Sequence, residues 1–388
     1  MRRAVLIILD GVGCGALPDA DRYGDSDSNS LAHTAASFDQ FCLPNMQRMG
    51  LGNVTPIKGV PPIRNPSACF GKMNEQSPGK DSTTGHWEMM GVTLSEPFPV
   101  FPHGFDPELI ERFEHAVGRK VIGNRPASGT QIIEELGPRQ LRTGELIVYT
   151  SADSVFQVAA HTDVVPLDEL YRICEVAREM LAGPHAVSRV IARPFTGEPG
   201  RFLRTPDRKD YSIKPPAPTV LDKILESGRE VRGVGKIDDL FAGRGFTECL
   251  HAESNACGIR MILESMRRSF DGLLFANLND FDTRYGHRNN VTGYARALME
   301  FDMAVPEYLD LLTDEEIFIV TADHGNDPTT PSTDHSREYV PLLAKAGART
   351  KGVDLGTRKT FADVGATITE FLRLEPLAVG ESFLEEMR

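Results

Sequence analysis

Three short apolar runs in this chain each lead into an aspartate. Asp10 follows the run 4–9 directly, Asp282 comes a few residues after the run 273–278, and Asp323, with His324 beside it, closes the run 317–321. Further donors gather around them. Asp282-Thr283-Arg284-Tyr285-Gly286-His287 carries an imidazole across a glycine-containing loop, and Asp334-His335 follows a loop rich in Thr and Pro. Carboxylate oxygens mixed with imidazole nitrogens suit Zn2+ or Mn2+ better than Ca2+ or Mg2+ alone. Taken singly, each signal is weak. A lone D-x-x-x-x-H carries little information, Asp10 alone reads equally as a turn residue or helix cap, and Asp282 and Asp334 alone read as solvated surface acids. Taken together they read differently, because independent surface acids have no reason to recur at strand ends with histidines beside them.

A candidate nucleophile lies in Gly79-Lys80-Asp81-Ser82-Thr83-Thr84-Gly85-His86-Trp87-Glu88, where three consecutive hydroxyls are framed by glycines and a lysine. The order is not that of a GxxxxGK[ST] nucleotide loop. The plainer reading is a Ser/Thr-capped helix start with Glu88 joining the capping. Both readings hold at once if the hydroxyls sit at a helix N-terminus, which is itself an anion site. A serine hydroxyl is a weak nucleophile at neutral pH; one divalent cation favours its alkoxide, and a second holds phosphoryl oxygens. The chemistry that fits is phosphoryl transfer, in which positioning and charge neutralisation carry most of the catalysis.

The elements that must position these groups are readable. Apolar runs at 4–9, 146–149, 273–278 and 317–321 alternate with longer amphipathic stretches, the pattern of an α/β protein with a largely parallel sheet. In open α/β sheets ligands bind beyond the carboxyl ends of strands, where all three aspartates would stand. Asp106-Pro107 opens a helix as cap and first-turn proline; Leu109, Ile110, Phe113, Ala116 and Val117 give its apolar face, and Gly118 stops it. The stretches 167–182 and 294–309 have similar periodicity. Pro97-Phe98-Pro99-Val100-Phe101-Pro102 and Pro215-Pro216-Ala217-Pro218 mark two stiff crossings. They predict a discontinuous core, 1–98 with 216–388, and an inserted domain over 99–215.

The bulk properties exclude other classes. With 388 residues the chain suits two domains or one domain with a large insertion. A formal charge of −13 without any Lys/Arg-rich run argues against nucleic-acid binding. For a phosphate-handling protein, it implies that cations offset the substrate's charge locally. The first apolar run is too short for a signal peptide core or a membrane span. Cys14, Cys42, Cys69, Cys174, Cys249 and Cys257 are scattered, which predicts reduced thiols and a cytoplasmic location with no membrane partner. The composition is compatible with a monomer.

With Asp10-Gly11-Val12-Gly13, the stretch 79–88, Asp282 through His287, Asp323-His324-Gly325-Asn326-Asp327 and Asp334-His335 in view, the chain resembles the alkaline phosphatase superfamily. Within it the chain is similar to the bacterial phosphopentomutase family, related to cofactor-independent phosphoglycerate mutases. The resemblance runs over essentially the whole length. It includes Asn124-Arg125-Pro126-Ala127-Ser128-Gly129-Thr130, Tyr149-Thr150-Ser151-Ala152-Asp153-Ser154 and Ala192-Arg193-Pro194-Phe195, which belong to the mutase and not to the superfamily at large. It implies an alkaline-phosphatase-like core, a mostly parallel sheet flanked by helices, with a smaller α/β cap inserted.

The resemblance also implies two divalent ions, taken as Mn2+, and interconversion of ribose 1-phosphate and ribose 5-phosphate and their 2-deoxy forms. One ion would be held by Asp10, Asp323 and His324, the other by Asp282, His287 and His335. The phosphorylated residue falls on Ser82, where the family commonly has threonine, with Thr83 and Thr84 as neighbouring alternatives. Asp153, Arg189 and Arg204 in the cap, with Lys236 from the core, would read the sugar and its distal phosphate; an arginine fork binds phosphate in bidentate fashion. Without the resemblance, each arginine reads rather as half of a surface ion pair. The implied mechanism passes a phosphoryl group from Ser82 to the sugar, through a 1,5-bisphosphate, and back. It predicts activation by a sugar bisphosphate that primes the serine. Two rivals stand beside it: a phosphatase or phosphoglycerate-mutase-like enzyme on the same core, and an inactive protein that binds metal or phosphate. The cap motifs oppose the first. The second should have lost a ligand or the hydroxyl, and all are present.

Overall fold

The computed structural model describes residues 1–151, 153–347 and 352–387, so that Ala152 of the motif around Asp153 lies outside the described residues. The chain forms two compact units, Met1–Glu96 with Pro215–Arg388, and Pro97–Lys214. Both boundaries fall at prolines, which have no N–H to give to a ladder or helix.

With strands numbered along the chain, the first unit holds β1 (Arg3–Leu9), β2 (Cys69–Met73), β9 (Glu230–Val234), β10 (Glu248–Leu250), β11 (Gly272–Leu278), β12 (Glu316–Thr321), β13 (Val340–Ala346) and β14 (Asp354–Arg358). They form one sheet in the order β10-β9-β11-β1-β12-β13-β2-β14. The five strands from β10 to β12 are parallel to one another, and β13 is antiparallel to both β12 and β2. Every residue of β1, β11 and β12 is buried. That is why these runs are continuously apolar rather than alternating: helices cover both faces of a parallel sheet. The helix Val291–Asp310 shows the complementary pattern, burying Tyr294, Leu298, Phe301, Val305 and Tyr308 along one stripe at helical spacing.

Register decides what the sheet presents. Ile8 lies opposite Asn277 on one side and Thr321 on the other. The carboxyl ends of the three central strands are therefore level, and each hands its next residues to the same edge.

The second unit holds β3 (Val121–Pro126), β4 (Leu146–Thr150), β5 (Val155–His161), β6 (Arg189–Thr196), β7 (Leu203–Arg204) and β8 (Lys209–Ser212), ordered β3-β4-β5-β6-β7 with β8 also paired to β6. Its sheet has two apolar faces. Leu146 and Val148 join Phe156, Leu109 and Phe113 in one cluster, whereas Ile147 and Tyr149 join Ile132 and Phe195 in the other. Strand alternation sends successive residues of β4 into different cores. The predicted helix runs over Pro107–Val117 and ends at Gly118 in the left-handed region, φ 72°. Asp106 stands at its N-cap, but its side chain makes no capping bond. The carboxylate instead meets His185 Nε2 at 2.7 Å, so the proline and not a cap bond sets this start. No helix among the described residues is long and apolar enough to cross a membrane, and all six cysteines are free.

Candidate metal centre and nucleophile

Asp10 leaves β1 with Oδ2 accepting a hydrogen bond from Asn277 Nδ2 at 2.8 Å and Oδ1 3.3 Å from His324 Nε2. Asp323 leaves β12 with Oδ1 accepting from Gly11 N at 3.1 Å. Its Oδ2 lies 3.4 Å from His324 Nε2 and 3.2 Å from His86 Nδ1. Adjacent strand residues point to opposite faces, yet Asp323 and His324 both reach this cluster because β12 ends at Thr321. The donor atoms of Asp10, Asp323 and His324 lie within 4.8 Å of one another, and all three residues are buried.

A second set forms around Asp282, in the tight helical turn Phe281–Tyr285 that follows β11. Its Oδ2 is 3.2 Å from His287 Nε2 and its Oδ1 3.3 Å from His335 Nε2. Asn326 Nδ2 donates to the same Oδ1 at 2.6 Å. The donor atoms of Asp282, His324 and His335 again lie within 4.8 Å of one another, with His287 adjoining through Asp282. His324 thus borders both sets, its ring centroid 4.2 Å from that of His335. Read singly, Asp282 and Asp334 were both expected in solvent. Asp282 is buried, because the turn folds it under the sheet edge; Asp334 keeps a half-exposed side chain and pairs with Lys80 Nζ at 3.1 Å.

These residues fit divalent cations on their own geometry. Among the described residues, Asp10 Oδ1 and Asp323 Oδ2 are buried and meet only imidazole nitrogens, at 3.2 to 3.4 Å, a costly state for a carboxylate unless positive charge lies against it. His324 Nδ1 meets Gly325 O at 3.0 Å and His287 Nδ1 meets Thr333 O at 2.6 Å. A carbonyl only accepts, so each Nδ1 carries the proton and each ring aims Nε2 at the carboxylates. Burial by itself would lower the pKa of His324, but Asp323 and Asp10 outweigh it and hold it well above the usual range. Burial would raise Asp282, yet His335 and His287 keep it well below the carboxylate range. Burial and then the Asp323 charge push Asp10 up. The site concentrates negative charge where water is scarce, and a cation at Nε2 displaces a proton.

The three hydroxyls have separate fates. Helix Ser82–Met89 is capped by Asp81, whose Oδ1 accepts from Thr84 N at 3.0 Å and whose Oδ2 accepts from Thr84 Oγ1 at 2.6 Å. The cap is therefore an aspartate and not a hydroxyl. Glu88 takes no part in it, because it stands in the helix's last turn; it accepts from Gln76 N, Ser77 N, Ser77 Oγ, Thr360 Oγ1 and Phe361 N. Thr83 is buried. Ser82 Oγ lies 3.0 Å from His324 Nε2, between the two ligand sets. His86, unassigned in the sequence reading, sits one turn on and is fully buried, with Nδ1 2.8 Å from Ser82 O. The i, i+4 spacing of Ser82 and His86 was the signal that could have found it.

The remaining candidates divide. In the first unit, Lys236 follows β9 and lines a cleft of about 320 Å³ with His251, Glu253, Asp280, Thr283 and Arg284. In the second unit Arg189, opening β6, stands opposite Val155, two residues after Asp153. Its Nη1 is 3.7 Å from Asp210 Oδ2. Arg204 pairs with Phe195 at the far end of β6, about 20 Å of strand away from Arg189. The register thus sets Asp153 near the start of β6, where Arg189 stands, and Arg204 beside its other end.

Comparison with known proteins places this architecture. The model of the Metalloenzyme superfamily matches residues 2–376. Phosphopentomutase of Dictyoglomus turgidum is 58% identical over 387 residues, 100% of this chain and 98% of that protein. Phosphopentomutase of Carboxydothermus hydrogenoformans is 57% identical over 100% of both chains. That of Thermotoga maritima is 55% identical over 98% of each. Among solved structures, Leishmania mexicana phosphoglycerate mutase aligns with 98% of this chain and 97% of its own at 12% identity and a TM-score of 0.47. With sequence identity above one half across its full length, the chain belongs to the phosphopentomutase family of the Metalloenzyme superfamily and is an enzyme, a mutase of the isomerase class.

Proposed function

We propose that the chain interconverts ribose 1-phosphate and ribose 5-phosphate, and the 2-deoxy forms, with Ser82 as the phosphorylated residue. The observation that carries this reading is the position of Ser82 Oγ, 3.0 Å from His324 Nε2 and at the junction of two carboxylate–imidazole sets. Asp10, Asp323 and His324 would hold one divalent ion and Asp282, His287 and His335 the other; the mixed donors suit Zn2+ or Mn2+, and the family resemblance points to Mn2+. When bound, the ions supply positive charge to the phosphoryl oxygens and favour the alkoxide of the attacking oxygen.

The residues of the chain do the rest. Asp81 caps the helix and thereby sets the phase that turns Ser82 toward His324. The N-terminal N–H groups of that helix place partial positive charge beside the serine's phosphoryl group. Phospho-Ser82 gives its phosphoryl group to the free hydroxyl of a pentose monophosphate: the P–Oγ bond breaks, the new P–O bond forms on the sugar, and the sugar's proton ends on Oγ. The 1,5-bisphosphate then presents its other phosphoryl group, and Ser82 takes it by the reverse exchange. Asp153 and Arg189 would read the sugar and its distal phosphate, with Arg204 and Lys236 as further contacts, and the unit Pro97–Lys214 acting as the substrate-binding cap. Water must be kept from phospho-Ser82, since its attack would make the enzyme a phosphatase. A cytoplasmic, monomeric protein with reduced thiols belongs to the same reading.

The test is an assay of the Mn2+-loaded protein with ribose 1-phosphate that follows ribose 5-phosphate and free phosphate together. Ribose 5-phosphate should form without stoichiometric phosphate, and catalytic amounts of a pentose or hexose 1,n-bisphosphate should shorten the lag. Phosphate release alone would show a phosphatase and sink the reading.

A further inference from the structure

Two buried amides face the metal centre with only one end satisfied. Asn277 on β11 is 4% exposed; its Nδ2 donates to Asp10 Oδ2 at 2.8 Å while its Oδ1 has no hydrogen-bond partner among the described residues. Asn326 is 1% exposed; its Nδ2 donates to Asp282 Oδ1 at 2.6 Å, and its Oδ1 is likewise without a partner among the described residues. A buried amide oxygen with no donor is unfavourable, so folding alone does not account for either residue. A leucine of similar size would avoid the penalty. Room is nevertheless kept for one of them: a Cβ on Gly286 would lie 2.4 Å from Asn326 Cγ and 2.5 Å from its Nδ2.

The two amides share one action. Each grips a single oxygen of the aspartate that its ligand set is built around. On Asp10 the gripped atom is Oδ2, which leaves Oδ1, the buried oxygen facing His324 Nε2 at 3.3 Å. On Asp282 the gripped atom is Oδ1, which also lies 3.3 Å from His335 Nε2, while Oδ2 faces His287 Nε2 at 3.2 Å. An amide is suited to this because its N–H orients a carboxylate without bringing a charge that would compete with a cation. Lysine or arginine would bring one.

We propose that Asn277 and Asn326 are positioning residues, one for each cation, which fix the rotation of Asp10 and Asp282 and so hold each carboxylate in the orientation that meets the metal. Hydrogen-bonded partners of ligating groups commonly change metal affinity by roughly 10–100-fold when removed. The inference rests on the two-cation reading above.

The experiment is titration of the metal-free full-length protein with Mn2+, reading free Mn2+ by its paramagnetic resonance. Wild type, Asn277→Leu and Asn326→Leu are compared, alone and in Asp10→Ala and Asp282→Ala backgrounds. Each leucine variant should weaken one of the two bound Mn2+ by roughly 10–100-fold and leave the other unchanged. In Asp10→Ala, adding Asn277→Leu should do nothing more, whereas Asn326→Leu should weaken the ion that remains; in Asp282→Ala the roles should exchange. Asn277→Ala and Asn326→Ala repeat the measurement without bulk, so a leucine that lowers the metal-free melting temperature does not obscure the result. Two Mn2+ bound with wild-type affinities in the alanine variants, or both ions weakened alike by either substitution, overturns the proposal. A wild-type protein that takes up no Mn2+ sinks the two-cation reading instead.

Discussion

Replacing Ser82 by alanine separates stability from chemistry. The substitution removes one partly buried hydrogen bond, Ser82 Oγ to His324 Nε2. Such a bond contributes about 0.5–1.5 kcal/mol net. The helix start survives, because Asp81 still accepts from Thr84 N and Thr84 Oγ1, and alanine is the better helix former by a few tenths of a kcal/mol. The melting temperature should therefore fall by no more than about 4 °C. If Ser82 carries the phosphoryl group, activity should fall by at least about 10⁴-fold, equivalent to ~5.5 kcal/mol of barrier. No single hydrogen bond supplies that much, so the size of the loss identifies the cause. The assay is ribose 5-phosphate formation by the Mn2+-loaded protein, with incorporation of label from a doubly labelled pentose bisphosphate and mapping of the labelled peptide. Thr83→Val and Thr84→Val are the controls, and both should retain labelling. Ser82→Thr should retain activity. Stoichiometric label in Ser82→Ala, or more than about 1% of wild-type turnover, would refute the assignment and move the nucleophile to Thr83 or Thr84.

Three further outcomes follow from the packing and charge around the site. A Cβ at Gly85 would lie 2.1 Å from the backbone O of Asp323, so Gly85→Ala should cost about 1–3 kcal/mol by overpacking, seen in urea unfolding, and weaken Mn2+ binding by displacing Asp323. Burial would lower His287, but Asp282 and the Thr333 carbonyl outweigh it and raise the imidazole to about 9. In protein stripped of metal, that pairing stabilises fully below about pH 6.5 and is lost as pH rises through about 9; Mn2+ affinity should climb over the same window, and calorimetry should show a proton released at pH 7 that is absent above pH 9. Arg337, 3% exposed, donates to Glu75 Oε2, Ser77 O and Gly79 O. Arg337→Leu should cost about 3–5 kcal/mol by leaving Glu75 buried and unpaired, and Glu75→Gln in that background should recover part of the loss; a denaturation midpoint unchanged by Arg337→Leu would contradict this.

Much of the centre was legible because its ligands stand next to their positioning elements. A continuous apolar run marks a strand buried on both faces, and in β1 and β12 the ligand comes within two residues of the strand's end. Asp10, Asp282 and Asp323 could thus be assigned to one edge before any contact was known. The capping of Ser82–Met89 was less legible, since Asp81 and the hydroxyls after it are all good caps and only the backbone phase selects among them. The fate of Glu88 was not legible at all, because its partners Thr360 and Phe361 are distant in sequence.

By itself, then, the sequence determined the donor types, their strand-end placement, the α/β class and the family. Tertiary structure decided which atoms of those donors meet. Level register of β1, β11 and β12 brings acids from both ends of the chain into one cluster. Helix phase turns Ser82, and neither threonine, toward His324. Two asparagines from separate strands each donate to one oxygen of Asp10 and of Asp282. Composition and spacing record what a strand ends in. The direction in which a side chain leaves that end depends on torsions set by neighbours hundreds of residues away, and no local pattern encodes them.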